Sequence, residues 1–289
     1  MKKHEIKKNI IKFIRKRDSY KYNYGHVLVI AGSEIMPGAG LLSCIGALYS
    51  GAGLVTYAVK NDFINSVLSV FKPEIMLYIY KTVDDIINFV KLRNVSSIVI
   101  GPGLICDNIV LKKFIDKILM SLSLPIILDA SGLSCYNFKT EFKNIKAKLI
   151  ITPHIGELSK LLNIPIKIIK KKKKKIISRY VNTNKIICVL KGKNTIVISN
   201  KKFYKNKTGT PAMAISGSGD ILTGVIASFI NIIKDPFDAS KFAVFIHGLS
   251  GEYVEKNKGQ IGVIASEIAE SICYVMKDML INCKKNNMI

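Results

Sequence analysis

Short, almost unbroken apolar runs alternate with longer stretches of helical spacing, and this alternation constrains the fold more than any other feature. The runs are HVLVIAG (His26 to Gly32), LVTYAV (Leu54 to Val59), SSIVIG (Ser96 to Gly101), PIILDA (Pro125 to Ala130), AKLIIT (Ala147 to Thr152) and IICVLKG (Ile186 to Gly192). A strand with one wet face alternates polar and apolar residues, whereas a strand covered on both faces does not. Helix candidates lie between the runs at Gly40 to Ser50, Val83 to Leu92 and Ile109 to Leu122. The order predicts an α/β fold of three layers, a mainly parallel central sheet with helices on both faces. Two further runs, NTIVIS and KKFYKN, follow VLKGK at hairpin spacing and predict an antiparallel edge. The rest reads as helix: one after Asp220, one from about Pro236 to Lys256, and one from about Ala265 to Cys283. No Pro/Gly/Ser-rich linker divides the chain, so residues 1–289 are read as one domain, with 1–23 as a basic extension.

With 289 residues and 49% hydrophobic side chains, the chain can bury a full core. Its formal net charge is +24, from 44 Lys plus Arg against 20 Asp plus Glu. Such a field attracts nucleic acid, an anionic membrane or a phosphorylated small molecule alike. The excess is almost entirely lysine and is spread through every segment. Its longest run, Lys170 to Lys175, is flanked by Ile168, Ile169, Ile176, Ile177 and Tyr180, which can supply one helical face, so the lysines are expected on a solvated helix surface in preference to an anion-binding patch. No aromatic residues interleave with them as a base-stacking platform requires, and no helix-turn-helix, RRM or zinc-finger pattern supports a basic nucleic-acid-binding protein.

Six cysteines, Cys44, Cys106, Cys135, Cys188, Cys273 and Cys283, form no CxxC pair or Cys/His cluster, so no metal-ligand spacing is present. They read as small buried hydrophobes of a reducing compartment. The stretch MKKHEIKKNIIKFIRKRDSY lacks the apolar core and small-residue cleavage site of a secretory signal, and no run approaches the ~20 apolar residues of a membrane span. A cytoplasmic location without membrane attachment is expected.

In sheets of this kind ligands bind beyond the carboxyl ends of the strands. Four strand exits carry unusual residues: AGSEIMPGAG, GPGL, TPHIGE and KGKNT. A fifth feature, TGTPAMAISGSGDILTGVIASFI (Thr208 to Ile230), sets Ser216, Gly217, Ser218 and Gly219 directly before Asp220 and an apolar helix. A helix N-terminus has unpaired N–H groups and a partial positive charge, and glycines let a ligand approach them closely. The run therefore fits an anion hole, and Asp220 falls in the first helical turn. Asp and Ser are also common helix caps, so that plainer role stays open. A carboxylate in this position can take a proton from a hydroxyl that attacks a phosphoryl group while the amides stabilise the transferred oxygens. No GxxxxGK[ST] phosphate loop occurs.

GTPAMAISGSGDILTGVIASF closely resembles the signature of the ribokinase-like ADP- or ATP-dependent NAD(P)H-hydrate dehydratases. YGHVLVIAGSEIMPGAGLLSCIGALYSGAGLVTYAV, KPEIM, IGPGL, ILDASGL, ITPHIGELSKLL, VLKGKNTIV and AVFIHGLSGE agree with other family blocks in order, from about Tyr24 to Ile268. The resemblance implies repair of hydrated nicotinamide cofactors: ADP-dependent dehydration of the S epimer of NADHX and NADPHX. The C6 hydroxyl would be phosphorylated and phosphate eliminated, yielding AMP and phosphate. It also implies ADP or ATP as co-substrate, Mg²⁺, and a homo-oligomer. The epimerase domain of many bacterial relatives is not seen in this sequence, so a separate NAD(P)HX epimerase is an expected partner.

By the same resemblance, Asp220 is the catalytic base, and Gly217 and Gly219 form the anion hole, with Gly219 also touching nucleotide. Lys191, Gly192, Lys193, Asn194 and Thr195 match the nucleotide-phosphate loop, although locally they also read as a tight hairpin turn. Ala39, Gly103, His154 and Asp220 match substrate contacts. His154 also suits a plain helix start with Thr152 as cap and Pro153 at the first position. His26 and His247 are assigned to packing or local hydrogen bonds. Thr210 and Ala212 stand where the family commonly has Asn and Gly, and Ile155 replaces the usual residue after the histidine. The nearest alternative is a kinase of the same fold acting on a vitamin-precursor alcohol, hydroxyethylthiazole or a pyridoxal-like ring. MPGAG and TPHIGE favour the dehydratase.

Overall fold

The computed structural model describes residues 1–68, 72–105, 107–137, 142 and 144–285. Among them nine strands form one sheet: β1 (His26–Ile30), β2 (Leu54–Lys60), β3 (Met76–Tyr80), β4 (Ser97–Ile100), β5 (Pro125–Leu128), β6 (Lys148–Ile151), β7 (Ile187–Leu190), β8 (Ile196–Ser199) and β9 (Lys202–Lys205). Their order is β3-β2-β1-β4-β5-β6-β7-β8-β9. Strands β1 to β7 pair in parallel, and β7, β8 and β9 pair antiparallel. The helices are α1 (Lys3–Ile10), α2 (Pro37–Tyr49), α3 (Ile64–Leu68), α4 (Val83–Leu92), α5 (Asn108–Ser121), α6 (Ser131–Ser134), α7 (Ile155–Leu162), α8 (Ile166–Asn184), α9 (Ser218–Ile233), α10 (Pro236–Lys258) and α11 (Ala265–Lys285).

The apolar runs are unbroken because alternate side chains enter two different cores. Val27, Val29, Tyr57, Val99, Ile127, Ile150 and Val189 meet α2, α9, α10 and α11 on one face. Leu28, Ile30, Ile98, Ile100, Leu128, Ile151 and Leu190 meet α4, α5, α7 and α8 on the other. Register matters for function: Ile30 pairs with Ile100, Ile100 with Leu128, Leu128 with Ile151, and Ile151 with Cys188. Four neighbouring strands, β1, β4, β5 and β6, therefore end level, β7 runs two residues further, and their exit loops open on one edge. At the opposite end of the sequence, α1 and its extension join the same core: Ile10 is fully buried, and the Phe13 ring lies 4.6 Å from Phe229, edge-on.

Three local features differ from the sequence expectation. Strand β3 is absent from the apolar runs because it is a sheet edge with a half-wet pattern, and its Ile79 is exposed. Helix α2 starts at Pro37 rather than Gly40, since proline suits the first helical position. Helix α8 carries Lys170 to Lys175 on its wet side, with Ile169, Ile177 and Val181 buried, but Ile168 faces solvent. Cys44, Cys188 and Cys283 are buried as expected; Cys135 is half-buried, Cys273 is exposed because it faces outward on α11, and Cys106 lies outside the described residues. Among the described residues no helix is long and apolar enough to cross a membrane.

Helices α2 and α9 approach backbone to backbone. A Cβ on Gly224 would collide with the Ser43 carbonyl oxygen, and one on Gly46 with the Ile221 carbonyl oxygen. Across this contact the Ser43 and Thr223 hydroxyls hydrogen-bond at 3.0 Å, and Thr223 Oγ1 donates to the Asp220 carbonyl at 2.7 Å. The first turn of α9 is thereby fixed against α2. Gly224→Ala is expected to cost about 3 kcal/mol, because the clash is with backbone that cannot swing aside. The measurement is the urea midpoint, and a variant matching wild type would show that the helices can part at no cost.

Candidate active site

The chain leaves β1 toward β2 on one side and returns to place β4 on the other, so the loops after β1 and β4 diverge at the point where a parallel sheet opens a crevice. Those two loops are tied together by the Gly32 N–H, which donates to the Pro102 carbonyl at 2.8 Å, and the exits of β6 and β7 are joined in the same way by the Lys191 N–H, which donates to the Pro153 carbonyl at 2.8 Å. Ala39 and Gly103 meet here. A Cβ on Gly103 would stand 2.8 Å from the Ala39 Cβ and from the Met36 carbonyl oxygen. Tyr57, reaching across from β2, donates its hydroxyl to the Pro37 carbonyl at 2.9 Å and pins the start of α2. Burial pushes its phenol well up, so it remains a neutral donor.

Helix α9 begins after Gly217, which sits in the left-handed region at φ 85° where glycine is favoured, and no side chain caps it. Asp220 is therefore not the cap. It is the third helical residue, and the amides of Ser218, Gly219 and Asp220 have no intrahelical acceptor. Leu42 of α2 and Ala265 press on Gly217. From α10, buried His247 hydrogen-bonds to the Ser218 backbone, which names the partner that sequence reasoning lacked; its Nε2 has no partner among the described residues. Burial holds its imidazole down to about 4, hence neutral. His26 has a plainer role: its ring nitrogens bond the Arg93 carbonyl and the Thr56 hydroxyl.

Charge concentrates beside this helix end. Lys191 Nζ lies 2.5 Å from Asp129 Oδ1, and a Cβ on Gly219 would stand 3.3 Å from the same Nζ. Burial opposes the Lys191 charge, yet Asp129, Glu157 and Asp220 together hold its ammonium above the ordinary lysine range. Asp220 is pushed up to about 7, first by burial and then by the Asp129 carboxylate, with Lys191 pulling the other way and Glu157 adding to the rise. Glu157 arrives through α7, where the cap is His154 rather than Thr152. His154 Nδ1 accepts from the Gly156 and Glu157 amides at 3.0 and 3.2 Å, and Glu157 Oε2 accepts from the His154 amide at 2.7 Å. A ring nitrogen accepts as well as a hydroxyl does, so the Thr-Pro start moves one step along. Thr152 instead donates to the Leu128 carbonyl at 3.3 Å.

Of the sequence-predicted residues, Gly219, Asp220 and Lys191 are brought together, and Ala39 meets Gly103. Gly192, Lys193, Asn194 and Thr195 form the β7–β8 turn, with Thr195 Oγ1 donating to the Gly192 carbonyl at 3.0 Å; Lys193 and Asn194 are exposed at its tip. Thr210 caps the short turn Pro211–Met213 through the Ala212 amide at 3.3 Å, so that departure keeps a local role. Asp129 and Glu157 were not singled out. The signal was an acid closing the apolar run PIILDA, where the strand exits toward the crevice. Among the described residues no group of three or more His, Cys, Asp or Glu is arranged to hold a metal ion. These carboxylates surround an ammonium, a donor set that does not fit a protein-held magnesium. A half-buried base beside uncapped amides and an ammonium can accept a hydroxyl proton while an anionic group is gripped.

Residues 27–273 match the profile of the NAD(P)H-hydrate dehydratase family. A bifunctional NAD(P)H-hydrate repair enzyme from Moorella thermoacetica is 30% identical over 277 residues, covering 92% of this chain and 52% of that protein. The chain thus spans about half the length of several curated relatives that it matches. An ADP-dependent (S)-NAD(P)H-hydrate dehydratase from Listeria monocytogenes is 32% identical over 274 residues, 91% of each protein. Among solved structures, an ADP/ATP-dependent NAD(P)H-hydrate dehydratase from Bacillus subtilis, co-crystallized with ATP/Mg²⁺, has a TM-score of 0.82 at 28% identity and covers 96% of this chain and 97% of its own. The shared architecture is the ribokinase-like fold expected from the sequence.

Ala130, directly after Asp129, has φ 46° and ψ −122°, a conformation that costs an L residue with a Cβ. Ala130→Gly is expected to stabilise the protein by about 1 kcal/mol, the relieved strain exceeding the entropy of an added glycine. A lower thermal midpoint for this variant would mean the turn is unstrained.

Proposed function

We propose that this chain, which belongs to the NAD(P)H-hydrate dehydratase family, removes water from the S epimers of NADHX and NADPHX with ADP as phosphoryl donor. The observation that carries this reading is the half-buried Asp220 at the uncapped start of α9, with Lys191 against Gly219. Asp220 takes the proton of the C6 hydroxyl as its oxygen attacks the β-phosphorus of ADP; the bond from that phosphorus to the bridging oxygen breaks and AMP leaves. The amides of Ser218, Gly219 and Asp220, with Lys191, balance the charge on the transferred oxygens. The ring nitrogen then expels phosphate from C6, and loss of a C5 proton to solvent restores the reduced ring. Ala39, Gly103 and His154 are proposed to contact the substrate, and the Lys191–Thr195 turn the nucleotide. Magnesium enters as the counter-ion of the phosphates, which with water can supply most of its ligands.

Residues 1–289 are proposed as one domain working in the cytoplasm as a homo-oligomer. An NAD(P)HX epimerase activity is proposed to supply the S form. A ribokinase-like small-molecule kinase is the other reading of the same geometry, and a stable phosphorylated product without phosphate release is its mark.

The purified protein with NADHX, Mg²⁺ and ADP should regain the absorbance of the reduced ring; no recovery with ADP or ATP would refute the proposal. Asp220→Asn should lower turnover by about 10²–10⁴-fold while nucleotide binding changes little. Because the base works ionised and its pKa stands at about 7, wild-type turnover should rise with pH through that value. Near-normal turnover in the variant would remove Asp220 from the chemistry.

A further inference from the structure

We infer that Asp129 is a positioning residue for this reaction, holding the Lys191 ammonium against the first turn of α9 where the migrating phosphoryl group is gripped. The inference rests on the function proposed above and adds a residue to it. Asp129 follows three buried apolar residues of β5 and is 1% exposed, so its carboxylate has left water almost completely. A charge in that position is retained at a cost unless it is paired. Its partner is Lys191, at 2.5 Å. The ion pairs Lys60–Asp62, Lys117–Asp84 and Lys202–Asp235 are by contrast largely exposed on both sides.

The placement of Lys191 needs an explanation of its own. An ammonium beside Gly219 stands at the positive end of a helix, where a cation is unfavourable until an anion arrives. Asp129 supplies the opposing charge that keeps the ammonium there in the absence of ligand. The turn at Ala130 adopts its unfavourable conformation directly after Asp129. Asp220 also feels Glu157 from α7, and the buried Tyr57 hydroxyl of β2 lies within its electrostatic reach, so the charged surroundings are Asp129, Lys191 and Glu157, with neutral Tyr57.

The test compares Asp129→Asn, Lys191→Met and the double variant in the full chain. Asp129→Asn should lower kcat for NADHX by about tenfold to a hundredfold, the cost of a displaced positioning group. Its ADP affinity, measured by calorimetry, should be equal or tighter, since a negative charge has left the phosphate site. The acid limb of kcat should move to lower pH in Asp129→Asn and to higher pH in Lys191→Met, because one variant removes an anion near Asp220 and the other a cation. The double variant should be no slower than Lys191→Met. Multiplicative losses, an unmoved acid limb or weakened ADP binding in Asp129→Asn would overturn the inference and mark the pair as structural. Should wild type fail to turn over NADHX, the proposed reaction falls, and ADP affinity still judges Asp129. Should Asp129→Asn fail to fold, the double variant, which removes both charges, carries the comparison with Lys191→Met.

Discussion

Lateral alignment of Ile30, Ile100, Leu128 and Ile151 across four parallel strands sets the level at which the loops of the candidate site begin. Each of these side chains is fully buried in the same core, so a one-residue slip would turn a whole strand inside out. With these four strand ends level and β7 running two residues further, the exits after β1, β4, β5, β6 and β7 lie side by side. Gly32, Gly103, Asp129, His154 and Lys191 then converge without any long loop having to carry them.

The second constraint is the backbone contact between α2 and α9. Because Gly46 and Gly224 allow the helices to touch, the first two turns of α9 lie against the middle of α2, from Leu42 to Ala47. The start of α9 and the body of α2 thus form one rigid joint. At that joint, burial and three acids gathered around one lysine determine the electrostatics. A lone surface aspartate would be a weak base at neutral pH; Asp220, half-buried and crowded by Asp129 and Glu157, is poised near it.

Much of this was legible in the residues. The two-faced burial of the strands writes itself as unbroken apolar runs, and the Gly-Ser-Gly-Asp turn is local in sequence. Strand β3 was not legible, since a half-exposed edge lacks that pattern. His154 as a cap was hidden by the Thr-Pro pair before it, a more familiar helix start. The Asp129–Lys191 pair joins residues 62 apart, and only the register of β5, β6 and β7 brings them together. Local reading could assign Lys191 to a turn, but it could not supply its partner. His247 could be assigned to packing or local hydrogen bonds but not given its partner, because the helix end that it supports lies on another element.

The central claim is that the site couples phosphoryl transfer from ADP to loss of water from the hydrated ring. Stoichiometry tests it most directly: AMP and inorganic phosphate are quantified against reduced ring recovered from NADHX in one reaction. Equal amounts of all three are predicted. Ring recovery with ADP left intact, or AMP formed with phosphate retained on a stable product, would contradict it.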